Sequence, residues 1–327
     1  MHQRGWRTNR LVVLLIAVAA LTAVVLAATA SAGNQKKWKL TFVAGDKGDP
    51  FYITLNCGAA AEARKFGASL NMQAPATFSP TDQTPIVNAI AAAHPDALLI
   101  APTDSKAMYV PIKQVADGGT KVVFVDTTLA NPSMAVAQVH TDDYEGGQAA
   151  AKILFNLVGG KGKKVLLLNF IPGVSTTEAR GKGFVDEAKK LGLNVVGKQY
   201  GGQAADKSAS IISATLAKTP DLAGVFTTTD FGAEGTVTAL RAADKLGKVK
   251  VVGFDASPIM VKEMRAKYIQ AIVAQQARKI GQVGVDQAIA ALEGKKTVKM
   301  TALPTLTVTQ QNLNSPAAKA VLQQLHC

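Results

Sequence analysis

The residues of this chain that could do chemistry recur in one kind of place. A short apolar run ends, and one or two polar residues follow it: Asp46 and Asp49, Thr103 and Asp104, Asp126 and Thr127, Thr141 and Asp142, Thr229 and Asp230, Asp255, and Gln275. Carboxylates and amides dominate this set. Such groups accept hydrogen bonds from hydroxyl or amine donors, and they do not suit phosphate. Other chemistries lack their residues. Gly159-Gly160-Lys161-Gly162-Lys163 resembles a phosphate loop, but it precedes a β-run, whereas such a loop must open a helix. It reads as a surface turn. No G-x-S-x-G, H-E-x-x-H or Walker sequence occurs. His94, His140 and His326 are too scattered for a triad or a metal centre. Asp142-Asp143 is a possible acid–base pair, yet a helix N-terminus favours acids there for electrostatic reasons alone. No catalytic residue, metal or cofactor is assigned.

The elements that must position these groups alternate. Strands are expected at Lys39 to Ala44, Leu70 to Gln73, Ala97 to Ala101, Lys121 to Val125 and, as an edge, Ala135 to Val139. Helices are expected at Phe51 to Phe66 and Thr84 to Ala93, the latter stopped by His94-Pro95. The pattern restarts after Asp143. Strands at Lys164 to Asn169, Asn194 to Lys198, Ala223 to Thr227, Lys250 to Phe254, Ile269 to Ala274 and Leu306 to Val308 are separated by helical periodicity. Those helices cover Gly147 to Leu157, Thr176 to Leu191, Asp206 to Ala217, Ala233 to Leu246, a stretch ending near Lys267, Ile280 to Leu292, and Pro316 to Leu325. Unbroken runs such as ALLIA and KVVFV suit parallel strands buried on both faces. Two consecutive βα series predict an α/β protein of two doubly wound lobes. Ligands of such sheets bind outside the carboxyl ends of the strands, where the polar residues stand.

The first 32 residues read as an export signal. Arg4, Arg7 and Arg10 precede an apolar stretch from Leu11 to Leu26, and Ala30-Ser31-Ala32 offers a small-x-small cleavage site. The apolar stretch is also long enough for a retained N-terminal anchor. Either outcome places the folded part outside the cytoplasm, in a periplasmic or extracellular setting. The net charge of +13 invites a nucleic-acid reading, but the lysines scatter over expected helices and turns, as at Lys161, Lys189, Lys245 and Lys250. With no basic helix or basic–aromatic stripe, a solvated surface is the expectation and nucleic acid is not an expected partner. The two cysteines, Cys57 and Cys327, can pair in an oxidising compartment, or Cys57 can be a small buried helix residue.

Seven segments, in order, resemble the periplasmic sugar-binding proteins of ABC transporters, of the ribose-binding, type I class. They are FVAGDKGDPFYITLNCGAAAEARKFG at 42–67, LLIAPTDSKA at 98–107, VVFVD at 122–126, VHTDDYEGG at 139–147, STTEARGKGF at 175–184, VVGFDASP at 251–258 and AIVAQQARKIG at 271–281. The resemblance implies two Rossmann-like lobes joined by a three-segment hinge, with an N-terminal lobe at 33–140 plus 276–304 and a C-terminal lobe at 141–275 plus 305–327. It implies closure of a monomer around one sugar, polyol or cyclitol and delivery to a membrane permease. An exported sensor that presents its closed form to a membrane receptor would use the same lobes. A repressor sharing this fold would need a DNA-binding segment where the export signal stands. An exported hydrolase would need a nucleophile and base that are missing.

Carried over by position, Phe51 and Tyr52 match the aromatic pair that packs on a sugar ring, and Asp126, Asp255 and Gln275 match hydroxyl-binding residues. Asp49, Asp142 and Arg180 complete the expected binding set with Thr127, Glu178 and Thr229, which are departures. Ala101 stands where the ribose-type pattern has Asn, Thr127 where it often has Arg, Glu178 for the first Arg of A-R-x-R-G-x-G-F, and Thr229 for an Asn. These changes predict an acidic cleft and a neutral or cationic ligand. Glu178 either faces that ligand or pairs on the surface with Lys182, four residues on.

Overall fold

The computed structural model describes residues 38–327. The expected export signal and residues 33–37 of the expected N-terminal lobe lie outside them. The first βα series runs β1 (Lys39–Val43), α1 (Pro50–Lys65), β2 (Ser69–Gln73), α2 (Pro80–Ala93), β3 (Ala97–Ile100), α3 (Tyr109–Asp117), β4 (Lys121–Val125) and β5 (Ala137–Thr141). The second runs α4 (Asp143–Val158), β6 (Lys164–Asn169), α5 (Ser175–Leu191), β7 (Asn194–Tyr200), α6 (Ala205–Lys218), β8 (Gly224–Thr227), α7 (Asp230–Ala242), β9 (Lys250–Phe254), α8 (Pro258–Arg265) and β10 (Ala271–Ala274). The chain then passes through α9 (Ala277–Leu292), β11 (Met300–Leu303), β12 (Leu306–Thr309) and α10 (Pro316–Val321).

Two six-stranded sheets result, ordered β11-β5-β4-β3-β1-β2 and β12-β10-β9-β8-β6-β7. All pairings are parallel except β12 against β10. Helices cover both faces of each sheet, so the central strands ALLI and KVVFV bury nearly every side chain. In the first lobe α1 and α9 lie on one face and α2 and α3 on the other. In the second, α4 and α5 oppose α6, α7, α8 and α10. The chain passes from one sheet to the other after β5, after β10, and between β11 and β12.

Helix pairs within each lobe approach through glycine. A Cβ on Gly58 of α1 would collide with the Arg278 carbonyl of α9, and one on Gly147 of α4 with the Arg180 carbonyl of α5. The close contact holds α1 and α5 against their neighbours, and both helices start at the cleft.

Several expectations shift. The strand at Ala137–Thr141 is interior, because β11, which the sequence reading omits, pairs outside it in parallel. Helix α3 is also unexpected; Pro111 sits in its first turn, where the missing N–H costs little. Helix α2 begins at Pro80 instead of Thr84 because Ser79 caps it, its hydroxyl accepting from the Thr81 amide at 3.2 Å. Helix α4 begins at Asp143, capped by Asp142, ahead of the expected Gly147. Cys57 and Cys327 form a disulfide.

Candidate ligand-binding cleft

The carboxyl ends of the two sheets face one cavity, about 40 Å³ in volume. Asp49, Phe51, Tyr52, Asp126, Thr127, Arg180, Thr229, Asp255 and Gln275 all line it. Local rules place each of them. Asp49 caps α1, its Oδ1 accepting from the Phe51 amide at 2.7 Å, and Pro50 occupies the first helical position. The cap turns Phe51 and Tyr52 into the cleft, where their rings meet edge to face at 5.1 Å. Gly45 is required behind them, because a Cβ there would strike the Tyr52 hydroxyl and the Phe78 ring.

Asp126 and Asp255 occupy equivalent places, directly after β4 and β9. Both adopt left-handed backbone, with φ of 64° and 79°. Each donates its amide to the neighbouring strand, to the Val139 carbonyl at 2.9 Å and the Val273 carbonyl at 3.0 Å. The left-handed turn is unfavourable for most side chains and least so for Asp or Asn. Its recurrence at both strand ends marks positions held for their carboxylates.

One cation organises this side of the cleft. The Arg180 guanidinium is 3 % exposed, donates Nε to Asp143 Oδ1 at 2.7 Å and Nη1 to the Thr228 carbonyl at 3.0 Å, and lies 3.9 Å over the Phe254 ring. Asp255 Oδ2 stands 3.9 Å from Nη1. Asp255 Oδ1 accepts from both Gln275 and Gln323 at 2.8 Å. Gln275 in turn accepts from the Thr141 hydroxyl at 2.6 Å, so the ends of β5 and β10 are tied at the crossover. Tyr52 donates to Asp126 Oδ2 at 2.8 Å. Thr127 donates to the Pro102 carbonyl at 2.8 Å, and Thr229 caps α7 by accepting from the Gly232 amide at 3.4 Å.

Electrostatically the cleft is acidic. Burial pushes Asp126 up to about 7 and Asp143 to about 6, with Arg180 opposing both shifts. Burial also raises Asp255, against Arg180 and its two amide donors. Asp230 is raised to about 7 and Asp46 to about 6, again chiefly by burial. Asp49 is held well above the ordinary range by burial and then by Asp230, Asp46 and Asp255.

Two expected ligand residues lie elsewhere. Glu178 turns away from the cavity and accepts from Lys198 Nζ at 2.6 Å and the Tyr200 hydroxyl at 2.9 Å. Strand β7 runs beside α5 and supplies this cation, so Glu178 pairs with Lys198 instead of Lys182 and is not among the residues that line the cavity. Asp142 caps α4, accepting from the Glu145 amide at 3.0 Å, and lines an adjoining groove that shares Asp126 and Thr176 with the cavity. Asp143, its neighbour, is the residue that reaches Arg180.

The sequence reading missed an aromatic wall. Phe78 and Phe170 meet edge to face at 5.4 Å, and Phe170 stacks on Phe231 at 6.3 Å, all three lining the cavity. Phe170 follows β6, so inspecting every strand end would have found it. Asp46 and Asp230 belong to the strand-end set that suits hydroxyl or amine donors but not to the named binding residues, and both line the cavity. Across the cleft, Gln203 donates to Asp46 Oδ2 at 2.6 Å and accepts from the Phe78 amide at 2.9 Å, joining the lobes. Among the described residues, no helix is long and apolar enough to cross a membrane.

A cavity between two doubly wound lobes, lined by carboxylates and aromatic rings, defines a class of two-lobed solute receptors. Residues 40–296 match the periplasmic binding protein domain, and the chain belongs to that family. It is 31% identical over 281 residues to the ribose import binding protein of Bacillus subtilis, covering 86% of this chain and 90% of that one. It is 30% identical to the D-ribose/D-allose-binding protein of Pseudomonas aeruginosa, covering 84% and 91%. A solved ABC transporter solute-binding protein from Agrobacterium vitis, bound with α-D-tagatopyranose, superposes with a TM-score of 0.86 at 34% identity, covering 88% of this chain and 100% of that one.

Proposed function

We propose that this protein captures one small polyhydroxylated molecule, a sugar, polyol or cyclitol, outside the cytoplasm and delivers it to an ABC permease. The carrying observation is the lining of the cavity: hydrogen-bond acceptors from both lobes converge there with aromatic rings. Asp126 and Asp255 accept from ligand hydroxyls, Arg180 donates, and Phe51 with the Phe78–Phe170–Phe231 wall covers the apolar face of a ring. The lobes, bounded near residues 140/141, 275/276 and 304/305, rock about the three crossovers as a monomer. No catalytic step and no nucleic acid enters this reading.

The test is a thermal-shift screen of the protein against sugars, polyols and cyclitols. A ligand at 100 times its Kd should add about 2.7 kcal/mol of stability. Small-angle scattering with that ligand should show compaction. An unshifted melting temperature across the screen would overturn the capture reading.

A further inference from the structure

Arg180 serves only part of the acidic cleft. Asp46 and Asp49, in the loop between β1 and α1, line the cavity from the first lobe, and Asp230, at the start of α7, lines it from the second. Among the described residues, none of these three carboxylates has an ion-pair partner. Arg180 is, among the described residues, the only cationic side chain lining the cavity, and it is committed to Asp143 and faces Asp255.

Asp46 is the most telling of the three. It is 4 % exposed; Gln203 satisfies its Oδ2, while its Oδ1 is buried with no hydrogen-bond partner. On Asp49 and Asp230, one oxygen each accepts a backbone amide, from Phe51 at 2.7 Å and Phe231 at 2.9 Å, and the Ser257 side chain beside Asp230 opposes part of its upward shift. A neutral hydroxyl can donate to the remaining oxygens, but it leaves their mutual repulsion in place. Burying carboxylates without a counter-charge is costly, and the raised pKa values of Asp46, Asp49 and Asp230 express that cost. A bare metal ion fits poorly: no three His, Cys, Asp or Glu side chains among the described residues are grouped to hold one. An organic cation fits better, because the rings of Phe51, Phe78 and Phe231 line the same cavity and aromatic faces attract such cations.

We propose that the ligand carries a protonated amine, as in an amino sugar or aminocyclitol, and that Asp46, Asp49 and Asp230 form its ammonium subsite. The inference rests on the capture reading above. An ammonium offers three donors, enough to give Asp46 Oδ1 the partner it lacks. Because the carboxylates come from both lobes, the cation also offsets their repulsion as the lobes close. The ligand thereby becomes part of the closing force.

Calorimetry at pH 7.5 tests this with matched sets: glucose, glucosamine and N-acetylglucosamine; the galactose set; and myo-inositol with an amino-deoxyinositol. In at least one set the amine should bind about 10-fold or more tighter than its neutral parent, as expected of a charge-assisted hydrogen bond. N-acetylation, which removes the charge, should abolish the gain. Asp46→Asn and Asp230→Asn should each shrink the amine-to-parent ratio by about threefold or more. Binding of a neutral parent as tightly as its amine in every set would overturn the inference and leave the capture reading standing. If no member of any set binds while a neutral sugar or polyol from the thermal-shift screen does, the inference falls and the capture reading stands; only failure across the whole screen overturns both.

Discussion

Cys57 and Cys327 are bonded across a sequence separation of 270 residues, with their Cα atoms 5.4 Å apart. Cys57 belongs to α1 of the first lobe, whereas the C-terminal segment emerges from α10 of the second. The passage between lobes falls between two adjacent residues. Gln323 donates its amide to the Ala256 carbonyl at 3.0 Å and its side chain to Asp255; Gln324 donates to the Thr54 hydroxyl at 2.7 Å and accepts from Arg278 at 2.7 Å. The tail is thus a further link beside the three crossovers, covalently fixed at its end.

Cutting that link should loosen the molecule. In the loop-entropy account, closing so long a loop stabilises the fold by about 5 kcal/mol, and removing a native disulfide typically costs about 2–5 kcal/mol. The Cys57→Ser/Cys327→Ser variant should therefore melt roughly 3–8 °C lower. Small-angle scattering of the unliganded variant should also show a wider distribution of radii than wild type. An unchanged melting temperature would mean the tail is held by its hydrogen bonds alone.

The sequence made the alternating architecture visible because central strands such as KVVFV and KVLLLN are buried on both faces and helices intervene at regular spacing. It also pointed to Asp126, Asp255 and Gln275, since they stand directly after strands. What it hid depends on contacts distant in sequence. Glu178 has the right spacing to pair with Lys182, but strand β7 brings Lys198 closer in space. Strand β11 is short, and its burial alternates between exposed and half-buried, so it carries no apolar run; only pairing with β5 defines it. Phe78 lies in a loop, and its place in the aromatic wall depends on the approach of Phe170 from the other lobe.

Arg180 should be indispensable to folding as well as binding. Removing it leaves Asp143 buried without its partner, and breaking a buried pair in this way costs about 3–5 kcal/mol. Arg180→Met should therefore melt well below wild type. Adding Asp143→Asn, which removes the stranded charge, should restore part of the loss. Denaturant titration of both variants measures this; equal stability of the single and double variants would show that Asp143 is relieved by solvent instead.

Glu178→Gln should leave ligand affinity within about threefold of wild type. The carboxylate pairs outside the cavity with Lys198, both about one-third exposed, and exposed pairs contribute about 0–1 kcal/mol. The screening ligand from the thermal-shift assay, titrated against both proteins, gives the comparison. A tenfold loss would return Glu178 to the cleft.

The unliganded protein should lose stability as pH rises from about 4 to about 7. Asp46 and Asp230 are raised in the folded protein to about 6 and about 7 from the ordinary 3.8. In that window the folded chain holds protons that the unfolded chain has released. Stability then falls with rising pH, because the unfolded state binds fewer protons. The contribution is fully present below about pH 4 and lost as the pH passes through the folded values. Asp126, Asp143, Asp49 and Asp255 act in the same direction, with Arg180 moderating Asp126, Asp143 and Asp255. The Asp46→Asn/Asp230→Asn variant removes two titrating groups and keeps the amide shapes. Its unfolding free energy, measured by denaturant titration, should vary less between pH 4.5 and 7.5 than that of wild type, by an amount on the order of 1 kcal/mol per group. Comparing the two proteins cancels the titration common to both. Parallel pH profiles would place both carboxylates in solvent when the ligand is absent, with the lobes apart.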